Sequence, residues 1–260
     1  MIVAGIDIGS LSTEVVVFDK SSEILGYSIV LTGGSSREAS RLSMEQALRN
    51  ANIKREEIKR IVSTGCAREI AEFADQKVTE ITCIAKGVNH LFPKCRTIID
   101  IGGQDTKVIR VNDKGRVLEF DMNDKCAAGT GRFLEVMAKA LDVELEKMGE
   151  RSLQYKNEIK ISSICTVFAE SEVVSLVSEG QQVEDIMHAI HNAIADRTLG
   201  LLERIGEIEP HVVMTGGVAK NIGVVKALEE KLGIPLNIYS EPQIVGALGA
   251  ALIAVDSIKQ

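Results

Sequence analysis

The chain has 260 residues, of which 45% are hydrophobic and 26% are charged, and its formal net charge is −7. This length suits one large domain or two of ordinary size, and the composition is that of a soluble globular protein. The acidic balance argues against nucleic acid as the main partner. No apolar run approaches the roughly 20 residues of a membrane span, and no signal peptide is recognisable, so we expect a cytoplasmic protein without a membrane partner.

An internal repeat without gaps links two parts of the chain. Residues 6–9 (Ile-Asp-Ile-Gly) match residues 99–102, and the same register places Thr13 on Thr106. Runs rich in Ile and Val, bounded by Gly, Asp, Asn and Ser, predict three strands in each copy. The predicted strands are Val3–Asp7, Glu14–Phe18 and Ile24–Ser28 in the first copy, and Thr97–Ile101, Lys107–Val111 and Val117–Asp121 in the second.

Helical sequence follows each copy, with apolar residues recurring every three or four positions. The predicted helices are Ser36–Asn50, Ile81–Leu91, Phe133–Leu141, Val167–Ser178 and Gly246–Val255, with further strands at Ile159–Ser163 and Val212–Thr215. This alternation predicts an α/β fold of two similar lobes that face each other across a cleft. Residues 1–94 with 246–260 are predicted to form the first lobe and residues 95–245 the second, with a bridge at Ile81–Leu91.

The two Asp-Ile-Gly turns, at Asp7 and Asp100, are predicted to bind phosphate and Mg²⁺. Backbone N–H groups in such a turn can hold phosphate oxygens. The carboxylate can hold Mg²⁺ through water, because this ion dehydrates reluctantly. A single Asp-Gly turn is common in hairpins, but two copies at equivalent places in a repeat are far more specific, since they can approach one phosphate chain from both lobes.

A glycine pair supports the nucleotide hypothesis. Gly216-Gly217 follows the strand Val212–Thr215 and precedes a helix predicted to begin near Ala219. Glycine permits close backbone approach, and a helix N-terminus favours an anion, although a tight turn without a ligand would explain the same pair. The candidate nucleotide-binding residues are Gly9, Ser10, Ser12, Asp100, Gly102, Gly103, Lys107, Gly129, Gly216, Gly217, Ala219, Asn221, Gln243 and Gly246.

Five cysteines at wide, irregular spacing do not indicate a disulfide framework. Cys126 and Cys165 each stand at or just before a predicted helix N-terminus, where the macrodipole stabilises a thiolate, the form that ligates metal. Two cysteines supply half of a four-thiolate site, and a twofold homodimer would supply the rest. Zinc and an iron–sulfur cluster both fit such ligands, and two buried, inert thiols are the simpler alternative.

The order of the two phosphate loops and the later Gly-Gly segment resembles that of the actin-like superfamily, which includes sugar kinases, heat-shock ATPases and actin. In that superfamily two ribonuclease H-like lobes enclose a nucleotide, the two loops bind phosphates and metal, and the Gly-Gly segment binds adenosine. The resemblance implies ATP or ADP with Mg²⁺ as ligands. A small-molecule kinase of the same fold and a zinc-linked or metal-free ATP-dependent regulator both stay alternatives at this point.

Three longer segments narrow the resemblance: residues 100–105 (Asp-Ile-Gly-Gly-Gln-Asp), 123–133 (Asn-Asp-Lys-Cys-Ala-Ala-Gly-Thr-Gly-Arg-Phe) and 165–173 (Cys-Thr-Val-Phe-Ala-Glu-Ser-Glu-Val). They are similar to the activators of 2-hydroxyacyl-CoA dehydratases, an ATPase family that also includes components of benzoyl-CoA reductase. The resemblance implies a homodimer that holds one [4Fe–4S] cluster between its subunits through Cys126 and Cys165 of each. Cys66, Cys83 and Cys95 match no ligand position and are expected to be structural.

The activity implied by this resemblance is ATP-gated electron transfer, with ferredoxin or flavodoxin as the donor and an iron–sulfur dehydratase or reductase as the acceptor. By analogy with other NTPases, we assign Asp7 and Asp105 to the Mg²⁺–water shell and Gln104 to the orientation of the attacking water, with Asp100 sharing the metal role. The sequence departs from the family pattern at Glu14, where the first phosphate loop commonly ends in Lys. This departure predicts weaker ATP binding or a transfer of the cationic role to Lys107.

Overall fold

The structure is a computed structural model that describes residues 1–21, 23–126, 128–161 and 165–258. The strands in these ranges are β1 (Ile2–Ile8), β2 (Ser12–Asp19), β3 (Glu23–Leu31), β4 (Ile58–Thr64), β5 (Gln76–Lys77), β6 (Thr97–Ile101), β7 (Thr106–Val111), β8 (Val117–Asn123), β9 (Val212–Thr215) and β10 (Asn237–Ile238). The α-helices are α1 (Ser36–Ala51), α2 (Glu80–Leu91), α3 (Gly131–Ala140), α4 (Leu145–Ser152), α5 (Thr166–Ser178), α6 (Val183–Leu202), α7 (Ile222–Leu232) and α8 (Val245–Ile258).

The strands form two five-stranded sheets with the same plan. The first sheet has the order β3-β2-β1-β4-β5 and the second has the order β10-β9-β6-β7-β8. In the first sheet β1 and β2 pair antiparallel, as do β2 and β3, while β4 runs parallel to β1. The two repeat copies therefore form the two predicted three-stranded meanders, β1–β3 and β6–β8. In each case a strand from later in the chain, β4 or β9, lies beside the first strand of the meander.

Alternating side chains of β2 explain why helices cover both faces of the first sheet. Val15 and Val17 are fully buried in one apolar cluster with Met44 of α1. Val16 and Phe18 are buried in a second cluster, which includes Leu248 of α8. Because successive residues of a strand point to opposite faces, each face carries its own apolar set and needs its own helices.

The chain divides into two units. The first comprises Met1–Ile98, Ile109–Phe120 and Tyr239–Gln260, and the second comprises Ile99–Val108 and Asp121–Ile238. The helix proposed as a bridge, α2, lies within the first unit. The predicted lobe boundaries stay a prediction.

The core of the second unit surrounds α6. Ile186, Ile190 and Ile194 of this helix are fully buried, in one apolar cluster with Phe133 of α3 and Leu228 of α7. The spacing of the three isoleucines, four residues apart, places them on one face of α6. The second unit therefore packs its helices around a central helix that the sequence patterns had not identified.

Two predicted elements differ from the structure. The helix expected near Ala219 begins only at Ile222, because Gly217–Lys220 forms a 3₁₀ turn first. Residues 159–161 form no strand, and the remainder of that predicted strand, residues 162 and 163, lies outside the described ranges. Just before it, Asp185 Oδ1 of α6 accepts hydrogen bonds from the backbone N–H groups of Lys156 and Asn157 at 2.7 and 3.1 Å. The chain here is tied to a helix side chain rather than to a neighbouring strand.

Among the described residues, no helix combines the length and the hydropathy that a bilayer crossing requires.

Candidate functional site

The first phosphate loop follows β1 in the first unit. Gly9 N donates a hydrogen bond to Ser12 O at 3.0 Å and closes the turn. The carboxylate of Asp7 fills the space that a side chain at Gly246 would need, since a methyl group there would collide with Asp7 Oδ2. Gln243 Nε2 lies 3.4 Å from Ser12 Oγ. The predicted residues Asp7, Gly9, Ser10, Ser12, Gln243 and Gly246 are thus grouped at one place in this unit.

The second phosphate loop, in the second unit, repeats the same turn. Gly102 N donates to Asp105 O at 3.0 Å, the bond equivalent to the one in the first loop. The buried Lys107 places its Nζ 2.7 Å from Asp105 Oδ1 and 3.4 Å from Asp100 Oδ2. One cation therefore compensates two carboxylates in a poorly solvated place. Gln104 is exposed in this loop, so its amide is accessible to a ligand.

Gly216 brings the Gly-Gly segment against the end of β6. Its φ is +83°, a region that favours glycine. A side chain at this position would collide with the carbonyl oxygen of Ile101 and would stand 3.1 Å from Asp100 Oδ1. Gly217 and Ala219 belong to the 3₁₀ turn that follows. The glycine pair and the second phosphate loop thus form one patch of the second unit.

Asn221 links this patch to a buried histidine. Its Oδ1 accepts hydrogen bonds from two N–H groups in the first turn of α7, at 3.0 and 3.2 Å. Its Nδ2 lies 3.3 Å from His191 Nε2, and His191 Nδ1 lies 2.9 Å from Ser152 Oγ. Burial, with a smaller effect of His188, lowers the pKa of His191 to about 3, so the ring is neutral at neutral pH. The Asn221 amide therefore caps α7, which occupies N–H groups that the sequence suggested for an anion.

The two candidate metal ligands, Cys126 and Cys165, are both exposed. Cys165 is the N-cap residue of α5, as predicted. Cys126 lies five residues before α3, which begins at Gly131, close to the predicted start at Phe133. The helix dipole acts within the first turn, so Cys165 lies within its reach and Cys126 does not. The backbone at Cys126 is held instead by Asn123, whose Nδ2 donates to the Cys126 carbonyl oxygen at 2.9 Å.

The other three cysteines fall into two groups. Cys83 and Cys95 are buried, as expected of structural thiols, and burial raises the pKa of Cys83 to about 12. Cys66 is exposed, and its Sγ lies 3.6 Å from the carbonyl oxygen of Ile8 at the first phosphate loop. Cys66 thus differs from Cys83 and Cys95 in its exposure, and its assignment as a structural residue stays a prediction. All five cysteines lie in the described ranges, and none is in a disulfide.

Three hydrogen bonds tie the segment after Cys126 to the second phosphate loop. The first two N–H groups of α3 donate to the carbonyl oxygens of Gly102 and Gly103, at 2.9 and 2.8 Å. Thr106 Oγ1 donates to the carbonyl oxygen of Gly129 at 3.3 Å. A displacement of the phosphate loop therefore pulls directly on the backbone between Cys126 and α3.

Arg197 is a residue of this region that sequence reasoning missed. It is partly buried on α6, and its ζ carbon lies 5.8 Å from the centroid of the Phe133 ring. Burial lowers the pKa of its guanidinium, while the charges of Cys126 and Cys165 raise it. Cys126 and Cys165 thus both act electrostatically on one cation. The available signal was that Arg197 is the sole Lys or Arg in the sequence of α6.

The donor groups fit a metal centre held by thiolates. No three His, Cys, Asp or Glu side chains come together as a metal-binding group in the part of the chain that the structure describes. One chain thus offers two exposed thiols, half of the four soft ligands that zinc or a [4Fe–4S] cluster takes. Next to Cys165, Thr166 Oγ1 is buried and has no hydrogen-bond partner among the described residues.

Comparisons with known proteins match nearly the whole chain. Residues 4–254 match the model of the BadF/BadG/BcrA/BcrD ATPase family. The 2-hydroxyisocaproyl-CoA dehydratase activator of Clostridioides difficile is 45% identical over 260 residues, which cover all of this chain and 97% of the relative. The crystal structure of component A of the (R)-2-hydroxyglutaryl-CoA dehydratase from Acidaminococcus fermentans superposes with a TM-score of 0.96 at 43% identity, over the whole of both chains.

A second solved structure is that of the Clostridium difficile activator with bound ADPNP. It has a TM-score of 0.95 at 44% identity and covers all of this chain and 96% of the other. The predicted fold class, an actin-like α/β fold with a duplicated meander, is confirmed by these likenesses together with the two equivalent sheets.

Proposed function

The chain belongs to the BadF/BadG/BcrA/BcrD ATPase family, and on this premise we propose that it is an ATP-dependent one-electron donor. Its acceptor is an iron–sulfur 2-hydroxyacyl-CoA dehydratase or a related reductase, as the names of its relatives suggest. The observation that carries the proposal is the set of hydrogen bonds between the second phosphate loop and the segment after Cys126. Through these bonds, a movement of the second phosphate loop on nucleotide binding would be transmitted to the backbone next to the exposed Cys126.

The nucleotide of this proposal is ATP or ADP with Mg²⁺. The two equivalent turns, closed by Gly9 and Gly102, offer backbone N–H groups to the phosphates. Asp7 and Asp105 hold Mg²⁺ through its water shell, and Lys107 compensates the charge of Asp105 in the second loop. The remaining nucleotide contacts come from the predicted residues Gly9, Ser10, Ser12, Asp100, Gly102, Gly103, Gly129, Gly216, Gly217, Ala219, Asn221, Gln243 and Gly246.

Hydrolysis is assigned to Gln104, which orients the attacking water. Its side chain is exposed between Gly103 and Asp105, whereas the neighbouring carboxylate of Asp105 is engaged by Lys107 at 2.7 Å. A neutral amide can both donate to a phosphate oxygen and accept from water. Exchange of ATP for ADP then changes the position of Gly102 and Gly103, whose carbonyl oxygens hold the start of α3.

Cys126 and Cys165 are the proposed ligands of a [4Fe–4S] cluster, one per homodimer. A cluster bound there would supply the one-electron redox couple. Three observations support this assignment: both thiols are exposed, both act on Arg197, and the Thr166 hydroxyl has no hydrogen-bond partner among the described residues. Two ligands from each of two subunits complete the set of four.

The exposed side of α5 supports the homodimer. Val167 and Phe168, in the first turn of α5 after Cys165 and Thr166, are 66% and 68% exposed, and Val174 and Val177 are also exposed. The exposed serines of this helix donate their hydroxyl hydrogens to carbonyl oxygens one turn earlier, at 2.9 to 3.3 Å. The serine hydroxyls on this surface therefore already have hydrogen-bond partners within the helix. An exposed apolar surface of this kind is suited to packing against the same helix of a second copy.

The remaining parts of the proposal concern the cellular setting. Ferredoxin or flavodoxin donates the electron, hydrolysis of ATP to ADP and phosphate resets the dimer, and the protein acts in the cytoplasm. The negative net charge agrees with partners other than nucleic acid.

Anaerobic purification tests the proposal. We expect a brown, oxygen-sensitive dimer with about four irons and four sulfides, as a [4Fe–4S] centre requires. Cys126→Ser and Cys165→Ser should each lose the iron, while Cys66→Ser, a change at a third exposed cysteine, should keep it. Zinc in place of iron, or a colourless monomer, would refute the iron–sulfur proposal. Reduction of an acceptor dehydratase at the same rate without ATP would refute the gating.

A further inference from the structure

The side chain of Arg197 is held in a defined place between α6 and the segment that follows Cys126. Its Cδ and Cβ lie 3.3 and 3.8 Å from the point where a β-carbon at Gly129 would stand. The guanidinium carbon lies 5.8 Å from the centroid of Phe133, a distance typical of a cation over an aromatic face. The aliphatic part of Arg197 thus packs on the backbone at Gly129, and its charged end rests over a ring of α3.

Two thiols from distant parts of the sequence interact electrostatically with the guanidinium of Arg197. Cys126 and Cys165 both favour the charged form of this guanidinium, against the effect of its burial. In the sequence of α6 no second Lys or Arg accompanies it. Partial burial reduces screening by solvent, so this cation acts more strongly on nearby negative charge than an exposed one would.

The reduction potential of an iron–sulfur cluster depends on the net charge around it, on hydrogen bonds to its sulfurs and on its exposure. An electron added to a cluster increases the negative charge of the site. A fixed cation beside the ligand thiolates therefore favours the reduced state, and its removal favours the oxidised state.

We propose that Arg197 is a positioning residue that sets the reduction potential of the centre held by Cys126 and Cys165. This inference rests on the proposed function, because it needs a redox centre at those thiols. Arg197 raises the potential enough for the donor protein to reduce the centre. It touches Gly129, whose carbonyl oxygen accepts the hydrogen bond from Thr106 of the second phosphate loop, so the loop that binds phosphate also positions this cation.

Two substitutions separate the charge of Arg197 from its packing. Arg197→Met keeps an unbranched aliphatic stem over Gly129 and removes the charge, whereas Arg197→Lys keeps both. Arg151→Met is the matched control: Arg151 Nε pairs with Glu184 at 3.1 Å, near the start of α6. At a rise of about 1.5 Å per residue, that end of the helix lies roughly 20 Å from Arg197, beyond the screening distance of about 10 Å.

The measurement is a redox titration of the anaerobically purified dimers, followed by electron paramagnetic resonance, with iron content determined in parallel. Arg197→Met is expected to shift the midpoint to more negative values by a tenfold change in the reduction equilibrium, about 59 mV for a one-electron couple. Arg197→Lys should stay closer to the wild type, and Arg151→Met should not shift.

The outcomes distinguish this inference from the proposed function. A fully loaded Arg197→Met dimer with the wild-type potential would overturn the role of Arg197 and leave the proposed function intact. Loss of iron from both Arg197 variants would show that the centre needs the guanidinium group for its assembly rather than a positive charge for its potential, and would also overturn the inference. Loss of iron from Arg197→Met but not from Arg197→Lys would show that the charge is needed to hold the centre rather than to set its potential, and would overturn the inference as stated. A wild-type protein without iron would overturn the proposed function and this inference together.

Discussion

Asp7 of β1 stands directly opposite Glu14 of β2 in the antiparallel register. Opposed residues of neighbouring strands project from the same face of a sheet, with β-carbons about 5 Å apart. Glu14 is 5% exposed. At the equivalent positions of the second repeat the structure has Asp100 and Lys107, an ion pair of 3.4 Å. The first loop therefore sets two carboxylates together where the second sets a carboxylate beside a cation.

This contrast predicts that Glu14→Lys strengthens ATP binding. The change would replace a like charge beside Asp7 with the cation that the second loop already uses. We expect a several-fold lower Kd for ATP, about 1 kcal/mol, measured by titration calorimetry. Glu23→Lys makes the same change in net charge at an exposed position of β3 and should leave the Kd unaltered. An equal or weaker affinity of the Glu14→Lys protein would contradict the comparison of the two loops.

Gln104→Ala should lower the turnover of ATP with little change in KM. The amide acts on the attacking water in the transition state rather than on bound nucleotide, so its removal affects kcat. We expect a loss of about tenfold or more, measured as phosphate release. Gln154→Ala, at an exposed glutamine after α4, serves as the control. Undiminished turnover would remove Gln104 from its role.

Two glycines in helices should respond to alanine in opposite ways. At Gly246 the added methyl group collides with Asp7 Oδ2, whereas at Gly200 of α6 nothing lies within 4 Å of it. Gly246→Ala should therefore displace the Asp7 carboxylate and lower Mg²⁺-dependent ATP hydrolysis. Gly200→Ala should raise the free energy of unfolding by about 0.5–1 kcal/mol and leave hydrolysis unchanged. Denaturation curves and ATP turnover assays of both variants, made in parallel, test these two expectations. Normal hydrolysis by the Gly246→Ala protein would show that the position of the Asp7 carboxylate does not matter for hydrolysis.

Thr106→Val should uncouple the nucleotide from the cysteines. Valine keeps the shape of threonine but cannot donate to the carbonyl oxygen of Gly129. ATP hydrolysis should stay within about twofold, while the dependence of iron removal by a chelator on ATP should fall, because one of the three links to the phosphate loop is lost.

Thr97→Val is the matched control for this experiment. Thr97 is also buried in the second sheet, and its hydroxyl has no hydrogen-bond partner among the described residues. The same substitution there should leave both readouts unchanged. A similar effect of the two variants would mean that Thr106 acts through general stability rather than through Gly129.

His191 should make stability depend on pH. Folding lowers its pKa from about 6.5 to about 3, mainly by burial. Between these values the unfolded chain binds the extra proton, so the free energy of unfolding should fall as the pH drops below about 6.5, by up to about 1.4 kcal/mol per pH unit. Urea denaturation at pH 7, 6 and 5 should show this slope. His191→Gln should reduce this pH dependence, whereas His211→Asn, at an exposed histidine, should not. An unchanged slope in the His191→Gln protein would mean that other groups cause the pH dependence.

Both meanders and most helices could be predicted from the sequence, because their signals are local. Asp7 and Asp100 fall in repeated strand-turn sequences, and the alternation of Val15 to Phe18 follows the two faces of the sheet. The repeat also predicted the grouping of the turn residues in each copy. Local propensity and burial agree in these segments, so either one suffices.

The parts that could not be predicted depend on contacts between distant residues. α7 begins at Ile222 because Asn221 caps it and is itself held by His191. Residues 159–161 form no strand, since the backbone just before them is bound by Asp185. The position of Arg197 depends on the packing of α6 against Gly129 and Phe133, which are far from it in the sequence. No spacing rule connects these residues.

The packing of α2 against α8 has a consequence for how the first unit evolves. A methyl group at Gly249 would collide with the carbonyl oxygen of Cys83, and one at Gly87 with that of Val245. The backbones of α2 and α8 are therefore in direct contact at these two glycines. The distance between the two helices does not depend on the size of the side chains around them. The same α8 carries Gly246 beside Asp7. Substitutions of other residues on these two helices can therefore accumulate without moving the carboxylate of Asp7.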